Sequence, residues 1–529
     1  MNLSSTKLLN FLKFLFHLRK NFVYRGKLEK HNLILVEFNT HKPALIGLLY
    51  LIKALRQKHQ AKVVIYMPGV VFDIVGYFKK FLQINIFNLK PMIIYKILGC
   101  EIKILKEFRN KNYILNKKNE ELVKTIKKKD DISSLKINNI LIGDLFYDTY
   151  TRYNAKPTIV INSIHFKREF FKYLREFDYW YNLIKKGSIK SIIVSHPVYN
   201  LAIPLRIGQY FDIPVYIGSI NFLQYFDKHR KHLWETEYRD QYKLLSEEDK
   251  IKALNYSKKE LELKFNPNQT IFSTDQNIIT ERKIHWSKLD TFSPIRKKDI
   301  FKKNSKPNVV ILAHCFYDSP HNEGEWLFAD FYDWVEYLLK ISKNTDYNWY
   351  IKKHPASVNQ KLNDETIENL VNEYPNVKIL EDVNNTELLA DNVSLILTAW
   401  GSAGYEFSYH KVPVILASGS CSYVGYNFTY KPKDIEDFDY VINNFENIEF
   451  NYEKKDIYKF YFNQMLTYWN LYPNYQNYKN NLSNNLAKDD EIFKQWMGDF
   501  SKEEHNKNLK DVEDFIISKK NQLITSKID

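Results

Sequence analysis

The sequence predicts an α/β fold of two or more domains built from similar βαβ units, and three observations support this prediction. First, short apolar runs alternate with helix-like stretches from residue 33 to residue 66. Second, residues 192–219 and 395–418 share one order of parts: a strand, a turn, a helix and a strand. Third, a chain of 529 residues, 44% of them hydrophobic, can form two or more cores.

The first βαβ unit begins at residues 33–36, an apolar run that ends at Glu37. Pro43 suits the first turn of a helix, and that helix should run to about Leu55. Residues 63–66 then supply a second strand. Because a helix joins the two strands, we expect them to run parallel.

Two carboxylates four residues apart, Asp144 and Asp148, would share one face of a helix, with Arg152 one further turn along. A strand ending at Gly143 would instead place Asp144 at a sheet edge, where a carboxylate can accept a proton from a bound hydroxyl. The alternative is structural, with Asp144 as a helix cap and Asp148 paired with Arg152 at the surface.

A histidine ends the next apolar strand, in the order Ser195-His196-Pro197. The turn after Thr398 occupies the same place in residues 395–418 as His196 does in residues 192–219. The two segments differ in spacing, so they are not a strict repeat. In a cleft between two facing sheets, His196 would stand opposite that turn, as a base or as a ligand of an acceptor substrate. A purely structural histidine is the alternative.

The second sheet is predicted to begin at residues 309–313, and His314 ends that strand. Asp318 and His321 follow, but their spacing suits a metal site poorly, so we predict no metal. We expect His314 and the loop after it to line the cleft.

A further predicted strand ends in charged residues. Residues 349–351 are followed by Lys352, Lys353 and His354, which brings two cations and an imidazole to one strand end. Ligands of open parallel sheets bind outside the carboxyl ends of the strands. The sequence therefore predicts an anion-binding edge here.

A glycine-containing turn follows the strand that ends at Thr398. Gly401 and Gly404 allow a tight turn and close approach of a phosphate to the backbone. Glu406 lies four residues after Ser402, one too far for a capping box, and could hold ribose hydroxyls. The alternative is an ordinary strand-turn-helix with Glu406 in solvent.

These elements resemble a known family. The residues Tyr-Ile-Lys-Lys-His-Pro at 350–355, together with 397–406 and Val-Pro-Val-Ile at 412–415, are similar to the C-terminal half of bacterial capsule and surface-carbohydrate biosynthesis proteins, which include the Kdo transferases of capsule export systems. The resemblance covers about residues 309–423. Glycerophosphotransferases of teichoic acid synthesis carry a similar pair of elements, so the pair does not choose the donor.

The resemblance implies a GT-B architecture, two Rossmann-like domains facing a central cleft, with the donor nucleotide bound mainly by the second. The expected catalytic residues are Asp144 and His196. The expected donor-binding residues are His314, Lys352, Lys353, His354, Thr398, Gly401, Ser402, Gly404 and Glu406.

Composition and charge point to an anionic partner. The chain has 77 Lys and Arg against 62 Asp and Glu, a net charge of +15, which favours a nucleotide, an acidic glycan or an anionic membrane surface. Nucleic acid is not predicted, because the basic residues are interleaved with acidic ones and no nucleic-acid-binding motif is present. Three distant cysteines, Cys100, Cys315 and Cys421, form no disulfide framework and fit a reducing compartment.

We predict four segments. Residues 1–225 form an acceptor domain, whose basic amphipathic helix at 5–20 is too short to span a bilayer and could either lie on a membrane or pack on the domain. Residues 226–304 form a helical linker, residues 305–480 the nucleotide-sugar domain, and residues 481–529 a helical tail.

The predicted function is a cytoplasmic, membrane-peripheral glycosyltransferase without a cofactor. It would move a sugar, with Kdo from CMP-Kdo as the first candidate, onto a surface polysaccharide or its lipid-linked primer. The alternatives are a CDP-glycerol-type glycerophosphotransferase, a nucleotide-sugar epimerase and a non-catalytic polysaccharide assembly protein.

Overall fold

The computed structural model describes residues 5–108, 117–161, 163–219, 222–265, 297–355, 360–417, 419, 422–466, 491–499 and 501–523. Cys421 lies outside these ranges, whereas Cys100 and Cys315 are buried free thiols. The strands in these ranges are β1 (Leu33–Glu37), β2 (Lys62–Tyr66), β3 (Glu101–Lys103), β4 (Lys136–Ile137), β5 (Ile140–Leu141), β6 (Ile189–Val194), β7 (Val215–Gly218), β8 (Leu223–Phe226), β9 (Asn308–Leu312), β10 (Asn348–Lys352), β11 (Val377–Leu380), β12 (Leu395–Thr398) and β13 (Val414–Leu416).

The α-helices in the same ranges are α1 (Ser5–Asn21), α2 (Lys42–His59), α3 (Ile74–Leu82), α4 (Leu89–Ile97), α5 (Lys117–Thr125), α6 (Lys129–Ser133), α7 (Gly143–Asn154), α8 (Ile164–Lys185), α9 (Ile203–Tyr210), α10 (Thr236–Arg239), α11 (Glu247–Phe265), α12 (Phe331–Ser342), α13 (Gln360–Asn372), α14 (Asn385–Ala390), α15 (Ala403–Tyr409), α16 (Ile435–Asn444), α17 (Lys454–Tyr461), α18 (Glu491–Asp499) and α19 (Lys502–Ser518). A π-helical turn, Gln83–Phe87, joins α3 to α4.

Two sheets organise the molecule. The first has the order β3-β2-β1-β6-β7-β8, and its strands run parallel except at the β7–β8 edge. The second has the order β11-β10-β9-β12-β13 and is parallel throughout. In each sheet the strand order reverses at the first strand, which opens a crevice between β1 and β6 and another between β9 and β12. The predicted α/β class, two Rossmann-like sheets with added helices, is confirmed.

Both sheets are buried on both faces. Ile34 and Val36 of β1 pack into one core and Leu35 into the opposite one, because successive side chains of a strand point to opposite faces. In β9, Ile311 packs into one core and Val310 into the opposite one. This explains why the strands are continuous apolar runs rather than alternating ones.

The C-terminal helices pack on the first sheet. Trp496 of α18 is fully buried in the core that contains α1 and α2. His505 of α19 forms hydrogen bonds with the Tyr50 hydroxyl and the His17 ring, at 2.5 and 2.8 Å. The chain end also extends the sheet edge, since the Tyr225 amide donates to the Asn521 carbonyl at 3.0 Å. The two ends of the chain therefore stabilise one domain.

Helix α7 of the first domain packs against the loop that follows β9. Asp148 is buried and accepts a 2.7 Å hydrogen bond from Nδ1 of His321. Asp330 accepts hydrogen bonds from the Tyr147 hydroxyl and, through its other oxygen, from the Asp333 amide at the start of α12. The two domains therefore share buried, paired polar groups.

The surroundings of Asp144 differ from the expectation. Residues 140–141 form a short antiparallel hairpin with β4, outside the parallel sheet, and α7 already begins at Gly143. The helix turns Asp144 into its own domain, where the carboxylate pairs with Arg206 of α9 at 2.9 Å. Asp148, which the structural alternative paired with Arg152 at the surface, is instead buried against His321. The structure thus does not place Asp144 at a sheet edge.

The pair Asp148–His321 predicts that the protein loses stability as the pH rises. Burial raises the pKa of Asp148 to about 6, and the Asp148 charge raises the pKa of His321 above its usual value although burial opposes this. Both groups bind protons more tightly in the folded state, so their contribution is present at low pH and lost as the pH rises through these pKa values. The double variant Asp148→Asn/His321→Gln should lose less stability than wild type from about pH 5 to about pH 8, by about 1–2 kcal/mol.

Chemical denaturation across this pH range measures the difference. His229→Gln, at an exposed loop position, is the control and should follow wild type. Parallel pH profiles for the double variant and wild type would contradict the assignment.

Candidate functional site

Three side chains at the first crevice form a hydrogen-bonded relay. Glu37 ends β1, is buried, and accepts hydrogen bonds from the amide and hydroxyl of Ser195 at 2.9 and 2.6 Å. The Ser195 oxygen lies 2.8 Å from Nδ1 of His196. When Glu37 is ionised, the serine hydroxyl donates to it and the serine oxygen accepts from the Nδ1–H of His196, and this tautomer leaves Nε2 as a proton acceptor. Burial raises the pKa of Glu37 to about 7, and the Ser195 hydrogen bonds oppose this.

His196 is exposed on the cleft and is kept neutral by its surroundings. Although the residue is exposed, the protein packed around the ring partly desolvates it and lowers its pKa, the charge of Arg152 lowers it further, and that of Asp318 raises it. A neutral imidazole with one free nitrogen is the form that a general base requires.

Arg152 is a cation of the cleft that the sequence interpretation left in a surface ion pair. It projects from α7 with a side chain 28% exposed, and its Nη1 is buried without a hydrogen bond inside the described part of the chain. Nη1 lies 3.5 Å from Asp318 of the second domain. The guanidinium also lies over the ring of Tyr199, whose hydroxyl donates to Asp318 at 2.5 Å. Arg152 is therefore a partly exposed cation at the boundary between the two domains.

Tyr199 occupies a strained backbone conformation beside this cluster. Its φ of 58° lies in the left-handed region, which is uncommon for a bulky residue. The conformation brings its hydroxyl to Asp318, so the turn after His196 is fixed by a contact with the other domain.

His314 marks the second crevice, at the end of β9. Its Nε2 lies 3.0 Å from the Trp400 carbonyl, and its ring stacks on Phe331 with centroids 5.0 Å apart. Burial, followed by the His354 charge, lowers the pKa of His314 to about 3, so it is neutral and donates from Nε2 to Trp400. Asp318, in the loop after His314, contacts Arg152 at 3.5 Å and Tyr199 at 2.5 Å, so the loops at the two crevices meet at one boundary.

His354 lies beside His314, with ring centroids 6.0 Å apart, and is half-buried. The structure therefore brings these two predicted residues together at the ends of β9 and β10. The backbone carbonyl of His354 accepts a hydrogen bond from Gln360 at the start of α13. This contact helps to hold the strand end in place.

The two lysines before His354 have partners inside the protein. Lys352 is buried and donates to Asn385 at 2.7 Å, and burial lowers its pKa to about 8 while Glu406 opposes this. Lys353 pairs with Glu368 and Glu381 at 2.6 and 2.9 Å. Neither ammonium group joins His354 in the cleft.

Glu406 is also separated from the cleft, because its side chain is fully buried. It pairs with Lys264 of α11 and lies 3.4 Å from the amide of Asn385. Together with Lys352, these residues form a buried polar network behind the glycine turn. The structure does not bring Glu406 to a position at the cleft surface.

The glycine turn is held by an aromatic side chain. Gly401 has a φ of 100°, which favours glycine, and its carbonyl accepts a 2.6 Å hydrogen bond from the Tyr423 hydroxyl. A Cβ at Gly404 would lie 2.4 Å from the hydroxyl oxygen of Tyr423, so the position of Tyr423 requires a glycine here. Thr398 is buried and donates to the Trp400 carbonyl at 3.0 Å, whereas Ser402 is exposed. Gly401 and Ser402 therefore form the accessible part of the turn.

The three residues considered for a metal have separate partners. His314 contacts Trp400, Asp318 accepts from Tyr199, and His321 pairs with Asp148. Within the described ranges, no group of three or more His, Cys, Asp or Glu side chains could hold a metal ion.

No protein-family model matches the chain, and no curated protein matches it. Solved structures do match, and three of them have identities of 10–13% and TM-scores of 0.23–0.26. A Thermosulfurimonas dismutans KpsC, a β-Kdo 2,4 transferase, has 13% identity and a TM-score of 0.26 over 52% of this chain and 79% of its own. The UDP-GlcNAc 2-epimerase of Neisseria meningitidis, bound to UDP-GlcNAc, has 13% identity and a TM-score of 0.23 over 82% and 99%. The N-terminal domain of a Candida albicans trehalose-6-phosphate phosphatase has 10% identity and a TM-score of 0.25 over 93% and 98%. At these scores, similarity does not assign a reaction or a substrate to this chain.

Replacing Gly404 by Ala should destabilise the second domain by about 1–3 kcal/mol, because the new methyl group must displace Tyr423. Gly498→Ala on α18 is the matched control, since a Cβ there meets no atom within 4 Å. The control should be neutral or stabilise by up to about 1 kcal/mol. Denaturation midpoints measure both changes, and equal midpoints for Gly404→Ala and wild type would show that Tyr423 does not fix the turn.

Proposed function

We propose that the protein is a glycosyltransferase that moves a sugar from a nucleotide donor onto a surface polysaccharide or its lipid-linked primer. Residues 1–225 would bind the acceptor and residues 305–480 the donor. The observation that carries the proposal is the pair of crevices on one cleft, with a neutral His196 on one side and the His314–His354 edge on the other. Ligands of open parallel sheets bind at such crevices.

The donor would lie at the second crevice. The exposed turn at Gly401 and Ser402, together with His354, would bind the donor phosphate, and the ordered turn would need little reorganisation as charge develops on the leaving nucleotide. Across the cleft, the partly exposed guanidinium of Arg152 would bind an anionic group of the same donor. In this proposal, Lys352, Lys353, Thr398, Gly404 and Glu406 support the turn and the strand end from behind.

The acceptor would lie at the first crevice. His196 Nε2 would remove the proton of an acceptor hydroxyl while the oxygen forms a bond to the anomeric carbon of the sugar. The bond from that carbon to the donor phosphate breaks, and the phosphate leaves with the electron pair. Ser195 and Glu37 hold the tautomer of His196 and stabilise the imidazolium that forms, so they are positioning residues.

Kdo from CMP-Kdo is the first candidate donor, because the residues at 350–355 and 397–406 resemble those of capsule Kdo transferases. Kdo carries a carboxylate, and a guanidinium such as that of Arg152 pairs well with carboxylates. We place the enzyme in the cytoplasm, on the inner face of the membrane, where a lipid-linked acceptor would be reached. No described helix has the length and apolar character needed to cross a bilayer.

A nucleotide panel of CMP, CDP, UDP and GDP should identify the donor class. At about one hundred times its Kd, the cognate nucleotide should raise the Tm by about 2–5 °C. His354→Ala and Arg152→Ala should reduce this rise, because each removes a donor to the ligand. Arg168→Ala, at an exposed position of α8, is the matched control and should retain it.

Stabilisation by CDP with transfer of glycerol phosphate would support the glycerophosphotransferase. Conversion of the donor sugar without an acceptor would support the epimerase. A Tm unchanged by every nucleotide would support the non-catalytic assembly protein and contradict the proposal.

His196→Gln should lower the rate of transfer, or of donor hydrolysis, by about 10²–10⁴ while the nucleotide-induced rise in Tm persists. Since the surroundings lower the pKa of His196, the acid limb of kcat/KM should lie below the ordinary histidine pKa of 6.5. Ser195→Ala should displace this limb, which a merely structural serine would not do. His31→Gln, at an exposed position, is the control. Unchanged turnover in His196→Gln would remove His196 from the reaction.

A further inference from the structure

The first domain carries an apolar surface without a partner in the described chain. Large hydrophobic side chains are exposed on α1, on α3, on the π-helical turn and at the start of α4. They are Leu8, Leu9, Leu12, Phe16, Ile74, Val75, Phe78, Phe81, Ile86, Phe87 and Leu89. We call this set the α1–α4 surface.

Helix α1 has two apolar stripes. Phe11, Phe14 and Leu18 face inward, and Phe14 stacks on Phe493 of α18 with centroids 4.1 Å apart. A second stripe at helical spacing ends with Phe16, which is 72% exposed. The inward stripe is sufficient to fix the helix, so the outward one is not required by the fold.

Helix α3 shows the same feature more strongly. It has no buried residue, although Ile74, Phe78 and Phe81 lie along it. The rings of Phe78 and Phe81 stack on each other at the surface. The π-helical turn continues the apolar face with Phe87, which is 78% exposed. Helix α4 packs against α1, where Lys90 lies over the ring of Phe11, so the exposed residues form one surface.

The charged residues within the segments that form this surface are all basic. Helix α1 contains Lys and Arg at four positions and no Asp or Glu, and residues 74–97 contain four lysines and no Asp or Glu. Elsewhere acidic residues are frequent, with 62 in the chain. Asp73 is the nearest carboxylate in sequence, and it is engaged as the cap of α3. Exposed aromatic and aliphatic side chains surrounded by lysines match the boundary between anionic headgroups and acyl chains.

We propose that the α1–α4 surface docks on an anionic lipid bilayer, with α3 and the π-helical turn inserted among the headgroups. The Lys80 ammonium group binds the carbonyls of Pro68 and Gly69, which follow β2 at the carboxyl end of the first sheet. The docking helix therefore lies beside the mouth of the cleft. Docking would hold the cleft where a lipid-linked acceptor emerges from the bilayer. This role in acceptor access rests on the proposed function, whereas bilayer binding itself does not.

Vesicle co-sedimentation of the full chain tests the proposal. The probes are vesicles of phosphatidylcholine alone and of phosphatidylcholine mixed with phosphatidylglycerol. Wild type should sediment with the anionic vesicles, and added salt should weaken this binding. The double variant Ile86→Glu/Phe87→Glu should lower the partition coefficient by about tenfold or more, because it removes apolar insertion and adds repulsion.

Ile251→Glu on α11 is the matched control, since Ile251 is also exposed and lies outside the surface. It should bind vesicles like wild type. The substituted side chains are exposed, so the Tm and the nucleotide-induced rise in Tm should be unchanged in both variants. Their retention alongside lost vesicle binding separates this proposal from the proposed function.

Two outcomes would overturn the proposal. One is wild type that stays in the supernatant with both kinds of vesicle. The other is a wild-type dimer in light scattering that does not bind vesicles and that Ile86→Glu/Phe87→Glu converts to a monomer. That result would make the surface an interface between two copies of the chain.

Discussion

The packing of α7 against the loop after β9 determines how the two domains face each other. Asp330 uses one oxygen to cap α12 of its own domain and the other to accept from Tyr147 of the first domain. Asp148 and His321 form a further buried pair across the same boundary. Breaking such a pair leaves a buried charge unpaired, which costs about 3–5 kcal/mol. The relative position of the crevices is therefore set by polar contacts that each domain cannot satisfy alone.

The second domain also contains buried, paired charged groups, but these stabilise the domain internally. Lys352, Glu406 and Lys264 lie in a buried network that joins β10, α15 and α11. In the sequence, a lysine at a strand end and a glutamate after a glycine turn have the same pattern whether they bind a ligand or an internal partner. Every residue of β10 is buried, with Tyr350 in one core and Trp349 and Ile351 in the opposite one, so alternation along the strand does not distinguish the two.

The fold was predictable to a greater extent than the site. Apolar runs bounded by turns identify parallel strands, and strand ends such as His196 and His314 identify the edge at which ligands bind. Glu37 also ends a strand, but its hydrogen bond with Ser195 joins residues 158 positions apart, and no local pattern encodes it. Arg152 was given a local partner one turn away, whereas its nearest carboxylate belongs to Asp318 of the other domain. Local spacing finds elements, and tertiary contacts decide which polar groups remain for a ligand.

One buried carboxylate connects the docking surface to the cleft. Glu176 accepts a hydrogen bond from the Val70 amide, which follows the carbonyls bound by Lys80, and another from Asn200 at 3.1 Å. Asn200 adjoins Tyr199, whose hydroxyl contacts Asp318 across the cleft. Burial raises the pKa of Glu176, and the Asn200 hydrogen bond and the Lys80 charge oppose this shift. The helix proposed to dock on a bilayer and the turn that carries the proposed base are thus parts of one hydrogen-bonded framework, and an acceptor held at the bilayer would approach His196 from a fixed direction.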